Sequence, residues 1–379
     1  MNNNSHLLWK GVIIFITAMI YGWALYYAND GFTNANQETN SIDETARVVK
    51  ILEDKTLVDE EGMIQGSMQL ELEILTGNMR GQLVSGTHFF NQLANVDVQV
   101  GDRLSIRMAI VDGNVATVQI QNPERREIII GFFIIFLLTL GIIGGKRGLR
   151  SVAGLLFTLL TLIFLLIPLM LKGFPVVATT LVTLSLVTVV TLVLLGGLTA
   201  KTISAIIGCI TGVVIAAFLA HIVGNLAAIS GLNMEDVGQI LTRTDFPETH
   251  ARGLFISGVL IAALGAVMDT AVSVASAMEE IKISNPKITP GKLFRSGMNV
   301  GRDTMGTMSN TLILAFAGTS LNMIILIYSQ NISFNQIINN DFIVIELIRS
   351  IAGSLGIILT APAVAFIGAM MMGGQTKQK

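Results

Sequence analysis

The chain has 379 residues, 52% of them hydrophobic and only 13% charged, with a mean hydropathy of +0.67. This excludes an ordinary soluble domain and points to an integral membrane protein. A formal net charge of -2 leaves no basic face able to displace counterions from a phosphate backbone, so nucleic acid is excluded as a partner.

The single cysteine, Cys209, rules out an internal disulfide and a thiolate-pair metal site, and His6, His88, His221 and His250 are scattered without short-range ligand spacing. Apolar stretches near 8–27, 128–145, 151–171, 174–198, 202–224, 253–277, 309–328 and 350–372 are measured against the roughly 20 residues of a crossing helix. They predict a polytopic α-helical membrane protein with about eight transmembrane helices. Short loops carrying Lys146, Arg147, Arg150, Lys201, Lys282, Lys287, Lys292, Arg295 and Arg302 outweigh those carrying Lys172, Arg243 and Arg252. The positive-inside rule then places both termini in the cytoplasm.

In chain order, residues 1–27 read as an uncleaved signal-anchor, because Trp23, Tyr26 and Tyr27 close the apolar core as interfacial anchors where a cleavage site would be needed. Residues 28–127 are then extracytoplasmic. Within them ARVVKIL, MQLELEIL, GQLVSG, DRLSIRMAIV and VATVQIQ read as strands, and Asp112-Gly113-Asn114 is a hairpin signal. The expectation is a small all-β barrel of the OB or SH3-like type. Without a ladder of exposed aromatics beyond Phe89 and Phe90, a structural cap or assembly surface is the preferred reading of it.

Residues 128–379 form the multi-helix membrane domain. Glycine-bearing polar edges at 144–154, 196–208 and 297–310 hint at a degenerate repeat of helical hairpins. Gly208-x-x-x-Gly212 is a helix-packing motif, and His221, one turn before Asn225, is a satisfied interfacial histidine before it is a proton carrier. Asp269 lies inside the run Gly253–Ala277, on a stripe with Gly258, Ala262, Gly265, Ser273 and Ser276. A carboxylate in hydrocarbon is costly and usually functional.

Asp303, Thr307 and Asn310 share one face of the next span. Two readings follow. In the functional one, Asp269, Ser273, Asp303, Thr307 and Asn310 form an oxygen-rich substrate or ion site. In the other, Asp269 pairs with Arg302, Lys201 or a backbone group, and the hydroxyls and amide cross-link helices. The loop 279–301 holds a short basic helix after Thr289-Pro290, suited to anionic headgroups. Glu346 and Arg349 are spaced to pair on one helix face. Residues 335–349 read as an interfacial helix entering the membrane near Ser350, and Pro362 as a kink.

The strings GAVMDTAVSVASAMEEI at 265–281, GRDTMGTMSNTLILAFAG at 301–318 and ELIRSIAGSLGIILTAP at 346–362 resemble the YibE/F-like family of bacterial multi-pass membrane proteins, over roughly 128 to 372. The resemblance implies a bacterial plasma-membrane location and pairing of two related members; a homo-oligomer is a separate expectation. It names no substrate. Its matching positions include Asp269, Arg302, Asp303, Asn310, Glu346 and Arg349, all of which stand out on physical grounds.

No GxxxxGK[ST] loop, HExxH or nucleophile elbow occurs in the sequence, so an ATP-driven pump and an enzyme are not expected, nor is a cofactor. The leading expectation is a transporter or permease component with an intramembrane site for a proton, cation or small polar solute, in which Arg302, Glu346 and Arg349 serve ion pairing or gating. The alternative is a membrane scaffold acting through the extracytoplasmic β domain.

Overall fold

A computed structural model describes residues 19, 21–30, 41–58, 64–90, 98–111, 114–234, 237–244, 246–247, 250–330 and 332–373. The chain divides into two units, one of Asp30–Thr139 and one of Met1–Asn29 with Leu140–Lys379.

In the first unit, five strands follow one another: β1 (Ser41–Val58), β2 (Ile64–Ile74), β3 (Leu83–Phe90), β4 (Arg103–Val111) and β5 (Asn114–Pro123). They correspond to the five predicted segments and close a barrel in the order β1-β2-β3-β5-β4. β1 is long enough to pair with β4 over Ser41–Arg47 and with β2 over Ala46–Val58, so one strand belongs to both sides of the closure. β4 and β5 pair antiparallel as far as Val111 and Asn114, while Asp112 and Gly113 of the predicted hairpin lie outside the described residues.

Alternation sets the faces: Met68, Leu70, Leu72 and Ile74 of β2 and Leu104, Ile106 and Met108 of β4 point into the core. His88 is also inside, 3% exposed, edge-on to Phe90, and neither ring nitrogen is hydrogen-bonded among the described residues. At the barrel's exit, the Arg126 backbone N–H and the Thr45 hydroxyl donate to Glu124 and hold its carboxyl below the usual range.

The second unit is helical. After α1 (residues 21–29) come α2 (Arg126–Leu171, which begins in the first unit), α3 (Val176–Gly196), α4 (Ala200–Leu226), α5 (Val237–Arg243) and α6 (Ala251–Ser284). They are followed by α7 (Pro290–Thr319), α8 (Leu321–Ser329), α9 (Phe334–Ile338) and α10 (Asp341–Met372). α2, α3, α4, α6 and α10 are long and apolar enough to cross a membrane, and α7 with α8, bent by 61° at a short break, makes a sixth if taken as one span.

The expected eight spans are not confirmed among the described residues. The stretches 128–145 and 151–171 are two helices that meet without a loop at a kink, where Gly145 adopts φ 55° and ψ -135°. That turn sets Gly148 directly against the Leu140 carbonyl, leaving no room for a side chain. Most of the predicted span 8–27 lies outside the described residues.

The last helix also departs from expectation. α10 runs unbroken from Asp341 through Ser350, whose hydroxyl donates to the Glu346 carbonyl, and on past Pro362. Only the short α9, boxed by Ser333 and Gln336, is a separate element before it. Glu346 and Arg349 neutralise each other, which removes the reason to keep their turn out of the membrane.

Small residues let α10 approach its neighbours. A Cβ on Gly208 of α4 would run into Val364, one on Gly212 into the Thr360 hydroxyl, and one on Gly356 would lie 2.8 Å from the Ala216 Cβ. α10 also meets α7, where a Cβ on Gly301 would sit 2.8 Å from that of Ala361. Phe255, Ile256, Val259 and Leu260 of α6 fill the centre. Thr180 and Ser257 share a buried 2.7 Å hydrogen bond between α3 and α6, and Lys201 pairs with Glu279 at 2.7 Å between α4 and α6.

Gly212→Val is expected to cost at least about 2 kcal/mol through overpacking of α4 on α10. A lowered melting temperature of the purified protein would show it, whereas Gly131→Val, with open space around it, should leave stability unchanged. His88 gives a second prediction. Burial pushes its pKa below the ordinary 6.5, so the native barrel disfavours the protonated form that the unfolded chain takes up below about pH 6.5. Barrel stability is therefore full above that pH and falls as pH drops through it. Hydrogen exchange of β2 and β3 in the full-length protein should show the loss, and His88→Leu should remove it.

Candidate functional site

The buried face of α6 is formed by Val267, Ala271, Val274 and Met278, which leaves Asp269 and Ser273 on its opposite, exposed side. α7 buries Leu293, Gly297, Gly301 and Leu312, leaving Arg302, Asp303, Thr307 and Asn310 exposed. The two helices run antiparallel. A Cβ on Gly297 would meet Met278, one on Gly301 would lie 3.6 Å from Val274, and Leu312 and Ala263 both face Gly353.

Asp269 therefore lies level with Gly306, between Asp303 and Asn310. The stripes share a depth, yet both turn away from the core, because each helix is oriented by its small residues against α10. Among the described residues no side chain or backbone group bonds to the Asp269 carboxylate, and none joins it to α7. Lys201 is committed to Glu279, Arg302 donates to Asn299 at 3.3 Å, and Thr307 turns back to the Thr304 carbonyl at 2.9 Å. Nor, among the described residues, do three His, Cys, Asp or Glu side chains converge as metal ligands.

The polar group that faces a cavity is elsewhere. On α10, Arg349 Nη1 donates to Glu346 Oε1 at 2.7 Å, with the side chains 18% and 22% exposed. Glu346 Oε2 and Arg349 Nε are buried without a partner among the described residues. The guanidinium lies 5.9 Å from the centre of the Phe316 ring, and a Cβ on Gly258 of α6 would sit 3.5 Å from Arg349 Nη2.

Both residues of the pair line a cavity of about 770 Å³ with Ala262, Phe316, Ser320 and Asn322. Both also line a smaller one of about 190 Å³ with Asn233 and Ile345. Glu346 borders a third, nearly apolar cavity of about 430 Å³ under Ile324, Ile327 and Tyr328. The ion pair is thus the shared wall of the first two spaces, and Glu346 borders all three, beside the point where α7 breaks into α8. Asn233, which lines the smaller space, also donates to Asp341 at the start of α10.

A family model described as YibE/F-like protein matches residues 132–374, well over half the chain. The chain belongs to the YibE/F-like family. No curated protein and no solved structure matches it. The YibE/F-like match takes in α6, α7 and α10 entire, and with them Asp269, the α7 stripe and the Glu346–Arg349 pair.

Other expectations resolve locally. Asn225 and His221 hydrogen-bond at 3.0 Å, and Asn225 accepts from Arg252, so this cluster ties α4 to the start of α6. Ser320, Asn322 and Asn233 escaped the sequence reading as cavity residues. The available signal was the run Gly318-Thr-Ser-Leu-Asn322, which interrupts an otherwise apolar stretch.

Proposed function

We propose that this YibE/F-like chain is a permease component of the bacterial plasma membrane, with Glu346 and Arg349 as the polar site for a small solute. The observation that carries this reading is a mostly buried ion pair with one unsatisfied atom on each partner, set between cavities beside a broken helix. Intramembrane ionisable residues mark solute pathways, and discontinuous helices build the binding sites of many transporters.

The free Glu346 oxygen accepts and the free Arg349 Nε donates, so the pair suits a solute presenting a donor and an acceptor side by side. Such a solute competes with the Glu346–Arg349 bond. Parting that bond joins the 770 Å³ and 190 Å³ spaces, which gives the pair a gating role. In this reading both termini are cytoplasmic, the β barrel is extracytoplasmic, and the protein moves its solute without converting it.

The alternative is a scaffold acting through the barrel. It draws on Leu57, Val58 and Phe89, apolar side chains that stand exposed at 76%, 68% and 66%.

Stopped-flow swelling of reconstituted vesicles, run with a panel of small amino acids and amides, decides between them. The permease reading expects wild-type vesicles to take up at least one solute faster than protein-free vesicles. Glu346→Gln and Arg349→Gln should return to the protein-free rate, and the exchanged pair E346R/R349E should keep the protein folded. Uptake by Glu346→Gln equal to wild type, or no uptake of any solute by the wild type, would favour the scaffold.

A further inference from the structure

We infer that the outward faces of α6 and α7 seat a second copy of this chain, acid ladder on base ladder. α6 presents Asp269 and Glu280 on one stripe, since eleven residues are close to three full turns, and both are exposed. α7 presents Lys292, Arg295 and Arg302, all exposed, with Asp303 as the single acid among them. Among the described residues none of Asp269, Glu280, Lys292, Arg295 and Asp303 is ion-paired within the chain, and Arg302 bonds only to the neutral Asn299. In a bilayer, lipid offers Asp269 no partner, so a protein surface must.

The register between the helices says which surface fits. Met278 lies level with Gly297 and Val274 with Gly301, so Glu280 lies level with Arg295. Asp269 lies level with Gly306, about one turn, or about 5.4 Å, from Arg302. Copies inserted in the same orientation are related by an axis along the membrane normal, which leaves every residue at its own depth. α6 of one copy laid on α7 of another then brings Glu280 to Arg295, and Asp269 within reach of the long Arg302 side chain.

The same operation returns the favour on the other side of the axis, so the face is self-complementary. Gly265 and Gly306 have open space where a Cβ would stand, which permits close helix approach along this seam. This surface adjoins the cavity site proposed above through Gly258 and Ala262, and its test does not involve solute movement.

The experiment co-expresses two differently tagged full-length chains in a Cys209→Ser background, one with Gly265→Cys and one with Asn310→Cys, followed by mild oxidation in native membranes. These two positions share a depth, and a disulfide joining both tags arises only between copies. The inference expects that mixed disulfide, and none when Gly265→Cys is combined with Phe218→Cys on the exposed side of α4. Glu280→Arg or Arg295→Glu should each lower the yield roughly twofold to fivefold, and the exchanged E280R/R295E in both copies should restore it. No mixed disulfide while both thiols accept a maleimide, a disulfide formed only with a different membrane protein, or yields indifferent to charge reversal would each overturn the second-copy seat.

Discussion

The close approach of α4 and α10 is the constraint on which the membrane unit depends. In a bilayer no hydrophobic force drives helices together, so packing of backbone against backbone decides their arrangement. Gly208, Gly212 and Gly356 remove the side chains that would hold α4 and α10 apart, and Val364, Thr360 and Ala216 occupy the space. α10 then presents Ala361 and Gly353 to α7 and α6, which fixes the rotation of both. The first turns of α10 are carried to the α7–α8 break by the same packing, and Glu346 and Arg349 ride on them.

Two kinds of ionisable group result. Glu346 and Arg349 face inward and compensate each other, so the desolvation of each is offset at short range, although one atom on each partner is left over. Asp269 faces outward and has no compensating partner among the described residues. Costs of this kind, several kcal/mol for an unpaired charge in hydrocarbon, are borne where something covers the group. The inward pair is what the proposed solute site rests on. The outward acid is the arrangement of a surface awaiting a partner.

Where the information was local, the sequence was readable. The alternation in MQLELEIL places Met68, Leu70, Leu72 and Ile74 inside the barrel, and the three- and four-residue steps through Gly258, Asp269 and Ser273 describe a true stripe. Which side of that stripe meets the core is set by glycine contacts with a helix some 90 residues later in the chain, so helical periodicity alone could not orient it. Hydropathy also passed over the break at Ser320, because Leu-Asn-Met-Ile-Ile-Leu keeps the window apolar across the bend. It did separate the two helices that meet at Gly145, where one positive-φ glycine turns the chain without a loop. Glu346 and Arg349 read as an interfacial end although their spacing already foretold the pair, because two charges in an apolar run were counted against the span while the pair is nearly neutral to its surroundings.

α6 connects the two polar features. Ala262 belongs to the exposed stripe and also lines the 770 Å³ cavity, and Gly258, at the end of the same stripe, lies against the Arg349 guanidinium. Any protein laid over the stripe therefore also forms a wall of that cavity. A second copy seated on α6 would narrow the lateral side of the cavity and leave the passage past Glu346 and Arg349 as the route between its spaces. Assembly and solute access would then be set by one helix, whose Gly258 and Ala262 carry too little side chain to separate the two roles.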